Sequence, residues 1–421
     1  MALLASVFAS PAHASDDPFF DRQWALEQIG APQAWTVTRG VGAVIGIVDS
    51  GVEASHPDLA GKVALTADCV GRTVCADGLG ATDPDGHGTL VAGVAAAGTD
   101  NGRGVAGVAP DARLVVAKVL DPTGAGQAQD INLGIRWVVD HGARVVNISV
   151  GDPGASASAS GSPLRAGIEY AWSKGAVPVL AAGNYGGSTS ENYGTLNALV
   201  VGATDRTGAV AGYSSAIGNA KWGLVAPGGA GVPGPDDNVI STTSGGGYAA
   251  SSGTSMAVPH VSGAVALLLA QGLNPTAAVS RLLGTLDKVP CGGGCRGRLN
   301  VAAATGATAV AVSEPAPEVA PAKATDPLTP AVPPPTATPA ATVAPDAPAA
   351  VPPPTTVAAP AASRPARVEP AGLAAGVRTP LSGAPDLDPL VVGVAIGILL
   401  AVSGSVAGVW AQRQLVAVAR R

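Results

Sequence analysis

Three short motifs carry side chains that together can do acyl-transfer chemistry. Asp49 follows an unbroken apolar run, residues 41–48, within Ile47-Val48-Asp49-Ser50-Gly51. In open α/β sheets, sites form beyond the carboxyl ends of buried strands, although an acid there also serves as an ordinary cap. His87 lies in Asp85-Gly86-His87-Gly88-Thr89, ahead of an apolar helical run at 90–97. A lone histidine at such a place is as readily structural. Ser255 lies in Gly253-Thr254-Ser255-Met256-Ala257-Val258-Pro259-His260 and opens a second apolar run; a plain N-cap serine explains it equally well on its own. Taken together the three supply an orienting acid, a base and a nucleophile. A serine hydroxyl attacks poorly until a neutral imidazole takes its proton, and that imidazole needs a carboxylate to hold its tautomer. Asp, His, Ser is one of the known chain orders of this triad. Ala181-Ala182-Gly183-Asn184 closes another apolar run. Its amide N–H can face an oxyanion beside the Ser255 backbone N–H.

These groups need a frame. Apolar runs at 41–48, 114–119, 145–150, 177–182 and 198–203 read as strands buried on both faces. Helical patterns at 89–97, 131–141, 164–174 and 255–270 alternate with them. That alternation implies parallel strands with crossover helices, an α/β domain over residues 15–305. Every aromatic except Phe8 and Trp410 falls within it. The 421-residue chain has 24 basic and 30 acidic residues, a net charge of −6, and no Lys/Arg cluster, which argues against nucleic acid as a partner.

The flanks differ from this domain. Residues 1–14 read as a secretory signal ending in Ala12-His13-Ala14, without the usual basic residues at its start. Residues 306–389 hold 20 of the 36 prolines and no aromatic, so a disordered, extended linker is expected. Residues 390–409 carry no charge over 20 positions, enough for one transmembrane helix. Arg413, Arg420 and Arg421 follow it, which puts the tail 410–421 in the cytoplasm and the domain outside the cell. Cys69, Cys75, Cys291 and Cys295 allow three pairings. Local pairing is the simplest in an exported chain, and a zinc site using all four is the rival.

The Asp49-Ser50-Gly51, His87-Gly88-Thr89 and Gly253-Thr254-Ser255-Met256-Ala257 motifs, with Pro259, resemble the three signatures of the subtilisin-like serine proteases, over about residues 17–303. The resemblance implies a three-layer α/β fold with a seven-stranded, mainly parallel sheet, and peptide-bond hydrolysis through an acyl-enzyme. It further implies that Ser149-Val150-Gly151 is an edge strand that pairs with extended substrate. Residues 116–126 would border the other side of the cleft, and Tyr185 the rim of the specificity pocket. Asp17, Asp58 and Asn101, with carbonyls of Gly98, Arg103 and Val105, resemble the calcium site of the thermitase branch, so structural Ca2+ is an expected cofactor.

Some features depart from that family. Only 34 residues separate Ala14 from Asp49, so either no folding prodomain is needed or the true start lies upstream. Residues 152–162 form an Ala/Ser/Gly-rich insertion beside the expected cleft. The layout of signal, protease, proline-rich linker and terminal helix also resembles the mycosins, which would bring secretion-system partners and narrow cleavage. A non-catalytic tethered scaffold is the rival of a different class. An esterase is disfavoured because the Gly-x-Ser-x-Gly elbow is missing.

Overall fold

The computed structural model describes residues 15–150, 162–187, 193–232 and 236–307. The signal at 1–14, Gly151, most of the insertion at 152–162, and the linker, apolar span and tail beyond 307 lie outside these residues. In chain order the helices are α1 (Trp24–Ile29), α2 (Ala31–Trp35), α3 (His87–Ala96), α4 (Ala128–Asp140), α5 (Arg165–Ser173), α6 (Thr254–Ala270), α7 (Pro275–Gly284) and α8 (Val301–Thr305). The strands are β1 (Val44–Asp49), β2 (Val63–Asp68), β3 (Ala76–Asp77), β4 (Arg113–Lys118), β5 (Val145–Ile148), β6 (Val177–Ala181), β7 (Leu199–Thr204), β8 (Trp222–Pro227), β9 (Val239–Thr243), β10 (Gly247–Ser251) and β11 (Cys295–Arg298).

One sheet runs β11-β8-β7-β6-β5-β1-β4-β2-β3, and β9 and β10 form a separate hairpin. The seven strands from β8 to β2 are parallel throughout, as expected; β3 is antiparallel and β11 is a short parallel addition. Side-chain alternation along β1 divides the core. Ile45 and Ile47 face the layer containing α3 and α6, while Val48 faces α4 and α5. Both faces are covered, which is why the strands read as continuous apolar runs rather than as alternating patterns. Gly46 permits close packing of α4 on the second face: a Cβ there would come within 2.7 Å of Val138.

Fourteen of the 17 residues of α6 are buried, so its apolar character marks a helix at the domain centre. Among the described residues no helix is long and apolar enough to cross a membrane. Chain connectivity places β4 on one side of β1 and β5 on the other. The strand order therefore reverses at β1, and a crevice opens beyond its carboxyl end, where Asp49 stands.

Both cysteine pairs are local disulfides, Cys69–Cys75 and Cys291–Cys295, and no cysteine is left for zinc. Each pins a short turn, with sequence separations of 6 and 4.

Candidate active site

Asp49 is the last residue of β1 and has no solvent exposure. Its Oδ1 accepts the Ser50 backbone N–H at 2.7 Å and lies 2.8 Å from His87 Nδ1. Asp49 Oδ2 is buried and has no hydrogen-bond partner among the described residues. The carboxylate's charge is thus answered chiefly through the imidazole. His87 begins α3, and its side chain keeps 28% exposure. Burial alone would lower its pKa. The charge of Asp49 and the hydrogen bond to it outweigh that, aided by the charges of Asp85 and Asp83, and raise the pKa to about 9.

Asp83 fixes the helix that carries His87. It is 4% exposed and accepts four hydrogen bonds. Ser50 Oγ and Gly86 N donate to Oδ1; Thr89 N and Thr89 Oγ1 donate to Oδ2. A buried acid at the start of a helix satisfies orphan amides and complements the helix dipole. Ser50 Oγ in turn accepts from Gly88 N at 2.9 Å, linking the Asp49 turn to the His87 helix. Gly88 must be glycine for this approach, because a Cβ would come within 2.1 Å of Gly51 O. In the sequence Asp83 has no role of its own; it stands only within Asp83-Pro84-Asp85-Gly86-His87, a stretch that resembles the mycosins.

Ser255 is the second residue of α6. The helix contains Pro259, which has no N–H to give to the Ser255 carbonyl four residues earlier. Ser149 Oγ donates to that carbonyl instead, at 3.0 Å. Ser149 is held by Asn147 Nδ2 at 2.9 Å, and Asn147 Oδ1 accepts from Ser262 Oγ, again of α6. Segment 149–150 is therefore locked to the helix that bears Ser255. It is not an edge strand of the sheet; it follows directly on β5, which lies inside the sheet between β1 and β6. Ser149 and Val150 line a cleft of about 550 Å3 together with His87. No direct hydrogen bond joins His87 to Ser255 Oγ among the described residues. In unliganded hydrolases such bonds tighten only as substrate docks.

The amide oxygen of Asn184 accepts from both Thr254 N, at 2.9 Å, and Thr254 Oγ1, at 3.0 Å. Two donors on the oxygen fix the amide's orientation, so the NH2 group faces away from Thr254. A Cβ built on Gly253 would lie 3.3 Å from Asn184 Nδ2 and 3.7 Å from Ser255 N. This glycine, with φ +151°, leaves a small space bordered by two N–H donors. Tyr185 follows Asn184 and is 47% exposed. Across the cleft, the turn after Leu120 is braced by Asp121, whose Oδ1 accepts from Thr123 N, Thr123 Oγ1 and Ala125 N.

The expected calcium residues also come together. Asp17 and Asp58 are 5% and 2% exposed, and no Lys or Arg forms an ion pair with either among the described residues. Asn101 touches both, through its N–H to Asp17 Oδ1 and its side-chain amide to Asp58 Oδ1. Arg103 N donates to Asp17 and Val105 N to Asp58, while Gly98 N donates to the Asp58 carbonyl. Among the described residues no group of three or more His, Cys, Asp or Glu could hold a metal ion. Two buried carboxylates without an ion pair are the feature that would suit a hard cation; the groups that meet them here are mainly N–H donors, and the Asn101 side-chain oxygen accepts from Arg103 N.

Comparison with known proteins accords with this architecture. Residues 40–288 match the family described as Peptidase_S8, the subtilase family. Thermitase of Thermoactinomyces vulgaris is 39% identical over 290 residues, which cover 68% of this chain and 96% of that protein. Subtilisin Savinase of Lederbergia lenta is 39% identical over 248 residues, covering 58% of this chain and 83% of that one. A solved protease structure from Pseudoalteromonas arctica PAMC 21717 superposes with a TM-score of 0.63 at 33% identity, covering 70% of this chain and 99% of that chain.

Proposed function

Because the chain belongs to the subtilase family and is a serine endopeptidase, we propose that Ser255, His87 and Asp49 divide the work of peptide hydrolysis among them. His87 Nε2 takes the proton of Ser255 Oγ as the oxygen attacks the scissile carbonyl. Asp49 holds Nδ1–H and stabilises the imidazolium that forms. The carbonyl oxygen gains the charge and is received by Asn184 Nδ2 and Ser255 N. The imidazolium then protonates the leaving amine, the C–N bond breaks, and an acyl-enzyme remains. Water reverses the sequence and frees the acid. The 2.8 Å contact between Asp49 and His87 is the observation that carries this reading.

Docked peptide would cover the exposed edge of His87. That adds to the burial which lowers its pKa, and so favours the neutral form that the first step needs. Segment 149–150 would bind the peptide backbone by strand addition, with Gly151 continuing it and Tyr185 at the pocket rim. A fluorophosphonate probe tests the reading: covalent labelling of Ser255, abolished in His87→Ala, is expected, and a folded chain that takes no label would refute it.

Calcium, when bound, would be held by Asp17, Asp58 and Asn101 with carbonyls of Gly98, Arg103 and Val105, tying the N-terminal arm to the loop around residue 101. Chelation should lower the thermal midpoint, and an unchanged midpoint would remove calcium from the account. We further read the chain as exported through residues 1–14 and anchored by residues 390–409, with the catalytic domain outside the cell. The charge-free span and the arginines after it support this. A mycosin-type enzyme with a narrow substrate range is the alternative that the layout raises. Digestion of a diverse peptide mixture would distinguish that from broad scavenging.

A further inference from the structure

A groove of about 260 Å3 opens at the end of β1 opposite to Asp49. Val41, just ahead of β1, forms one wall; Leu269, Ala270 and Leu273, around the carboxyl end of α6, form the other. Val41 is 71% exposed, and the three α6 residues are half-buried. Arg144, just ahead of β5, stands at the rim. Its Nε donates to the Gly175 carbonyl at 2.8 Å, and its charge meets no carboxylate among the described residues. The groove thus offers an apolar surface beside one unanswered cation.

The chain itself is delivered to this place. Gln271 caps α6, and its Nε2 donates to the Thr305 carbonyl at the end of α8, 2.9 Å away. Gly306, with φ +79°, then turns the chain, and Ala307 N closes that turn on the Ala302 carbonyl. Ala270 adjoins Gln271, so a few residues beyond 307, at up to about 3.4 Å each, suffice to reach the groove.

The residues that follow are Thr308-Ala309-Val310-Ala311-Val312-Ser313-Glu314, ahead of the first prolines at Pro315 and Pro317. Glu314 is the first charged residue after Arg298. In an extended segment Val310, Val312 and Glu314 share one face, about 6.8 Å apart. We propose that residues 308–314 dock in this groove as an extended segment. Val310 and Val312 cover Val41, Leu269 and Leu273, and Glu314 pairs with Arg144. Tethering by a few residues gives the segment a high effective concentration at the groove, which a second copy of the chain lacks. The proline-rich stretch then departs from the end of the sheet opposite to Asp49. An extended Ala/Val stretch left free is open to proteolysis; seated, this one is withheld from it.

The test uses the full chain with Ser255→Ala, so that no self-cleavage intrudes, and added elastase, whose small pocket takes Ala and Val. Mass spectrometry of the products compares cutting within 308–314 with cutting at Val357-Ala358-Ala359, a reference of like composition in the same chain. Residues 308–314 should be cut at least about ten-fold more slowly than the reference, as expected for two buried valines. Val41→Asp and Arg144→Glu alter exposed side chains of the groove and leave the segment's own sequence intact. Each should speed cutting within 308–314 by about three-fold or more without moving the reference rate. Glu314→Arg should speed it as well, and adding Arg144→Glu to that variant should slow it again. Equal rates at the two places, or groove variants that leave the 308–314 rate unchanged, would overturn the proposal. So would a chain that sediments as a dimer and becomes a monomer with Val41→Asp, which would assign the groove to a second copy.

Discussion

Gly253→Ala probes the space between the two N–H donors directly. The added Cβ would lie 3.3 Å from Asn184 Nδ2 and 3.7 Å from Ser255 N. An oxyanion must reach about 2.7–3.1 Å from its donors to be stabilised by them. The methyl group would fill the volume that oxygen needs. Loss of one such donor costs about 10²–10³ in turnover, a figure measured in subtilisin, a relative of this chain, rather than worked out from this structure. Blocking access to both donors should cost at least as much, so kcat is expected to fall by about 10² or more with KM little changed. The φ of +151° adds backbone strain of roughly 1–3 kcal/mol, visible as a lower thermal midpoint. Asn184→Asp separates the two effects, because it keeps the oxygen that accepts from Thr254 but loses the donor. The double variant should be far less impaired than the product of the single effects, since both changes remove one site. Steady-state kinetics on a short peptide, with thermal melts of each variant, provide the readout. A folded Gly253→Ala enzyme with kcat within about three-fold of the parent would refute the oxyanion assignment.

Other outcomes follow from the same geometry. Activity should rise with pH as the His87 proton is lost, with the free-enzyme limb in kcat/KM falling nearer 9 than 6.5; a limb at or below 6.5 would contradict the Asp49 coupling. Asp49→Asn should move that limb to lower pH and cut kcat by about 10⁴ through loss of the correct tautomer. His260 is fully buried, and burial lowers its pKa to about 4 despite hydrogen bonds to the Met256 and Pro227 carbonyls. A neutral buried His stabilises the fold above pH 6.5 and loses that contribution as pH falls through about 4, a difference of about 3 kcal/mol. His87 works in the opposite sense: its raised pKa stabilises the fold below 6.5, and that part is lost as pH climbs through about 9. Replacing His260 with Gln should therefore flatten the acid limb of stability, measured by urea melts between pH 4 and 7, and leave the alkaline limb unchanged. Ser149→Ala should lower both stability, by about 1 kcal/mol, and kcat, because it strands a part-buried carbonyl of the nucleophile residue.

The parts of the fold legible in the sequence were those buried on both sides. Strands β1, β4, β5, β6 and β7 announced themselves as apolar runs because the sheet has helices on each face. Strand β2 escaped notice because its first four residues are exposed or half-exposed, and β9 and β10 because they form a short hairpin in which Ser, Thr, Gly and Ala outnumber Val239, Ile240 and Tyr248. At the site, Asp49, His87, Ser255 and Asn184 were readable from motif chemistry. The residues that aim them were not. Asp83, Thr254, Asn147 and Ser262 act through hydrogen bonds between segments 33 to 115 residues apart, and such pairings leave no local pattern. Ser149 was expected to bind substrate through its backbone; its side-chain bond to the Ser255 carbonyl is an additional role that only the folded chain displays.

That bond ties two positions together in how the chain can change over time. Pro259 is tolerable inside α6 because residue 149, more than a hundred positions earlier, brings a hydroxyl to the carbonyl that the proline leaves bare. Losing the hydroxyl first strands the carbonyl; replacing the proline first lets the helix reclaim it and releases segment 149–150 from the nucleophile. Neither step is neutral alone, so drift at one position waits on the other. The floor of the cleft and the start of the nucleophile helix are, in this sense, inherited as one piece.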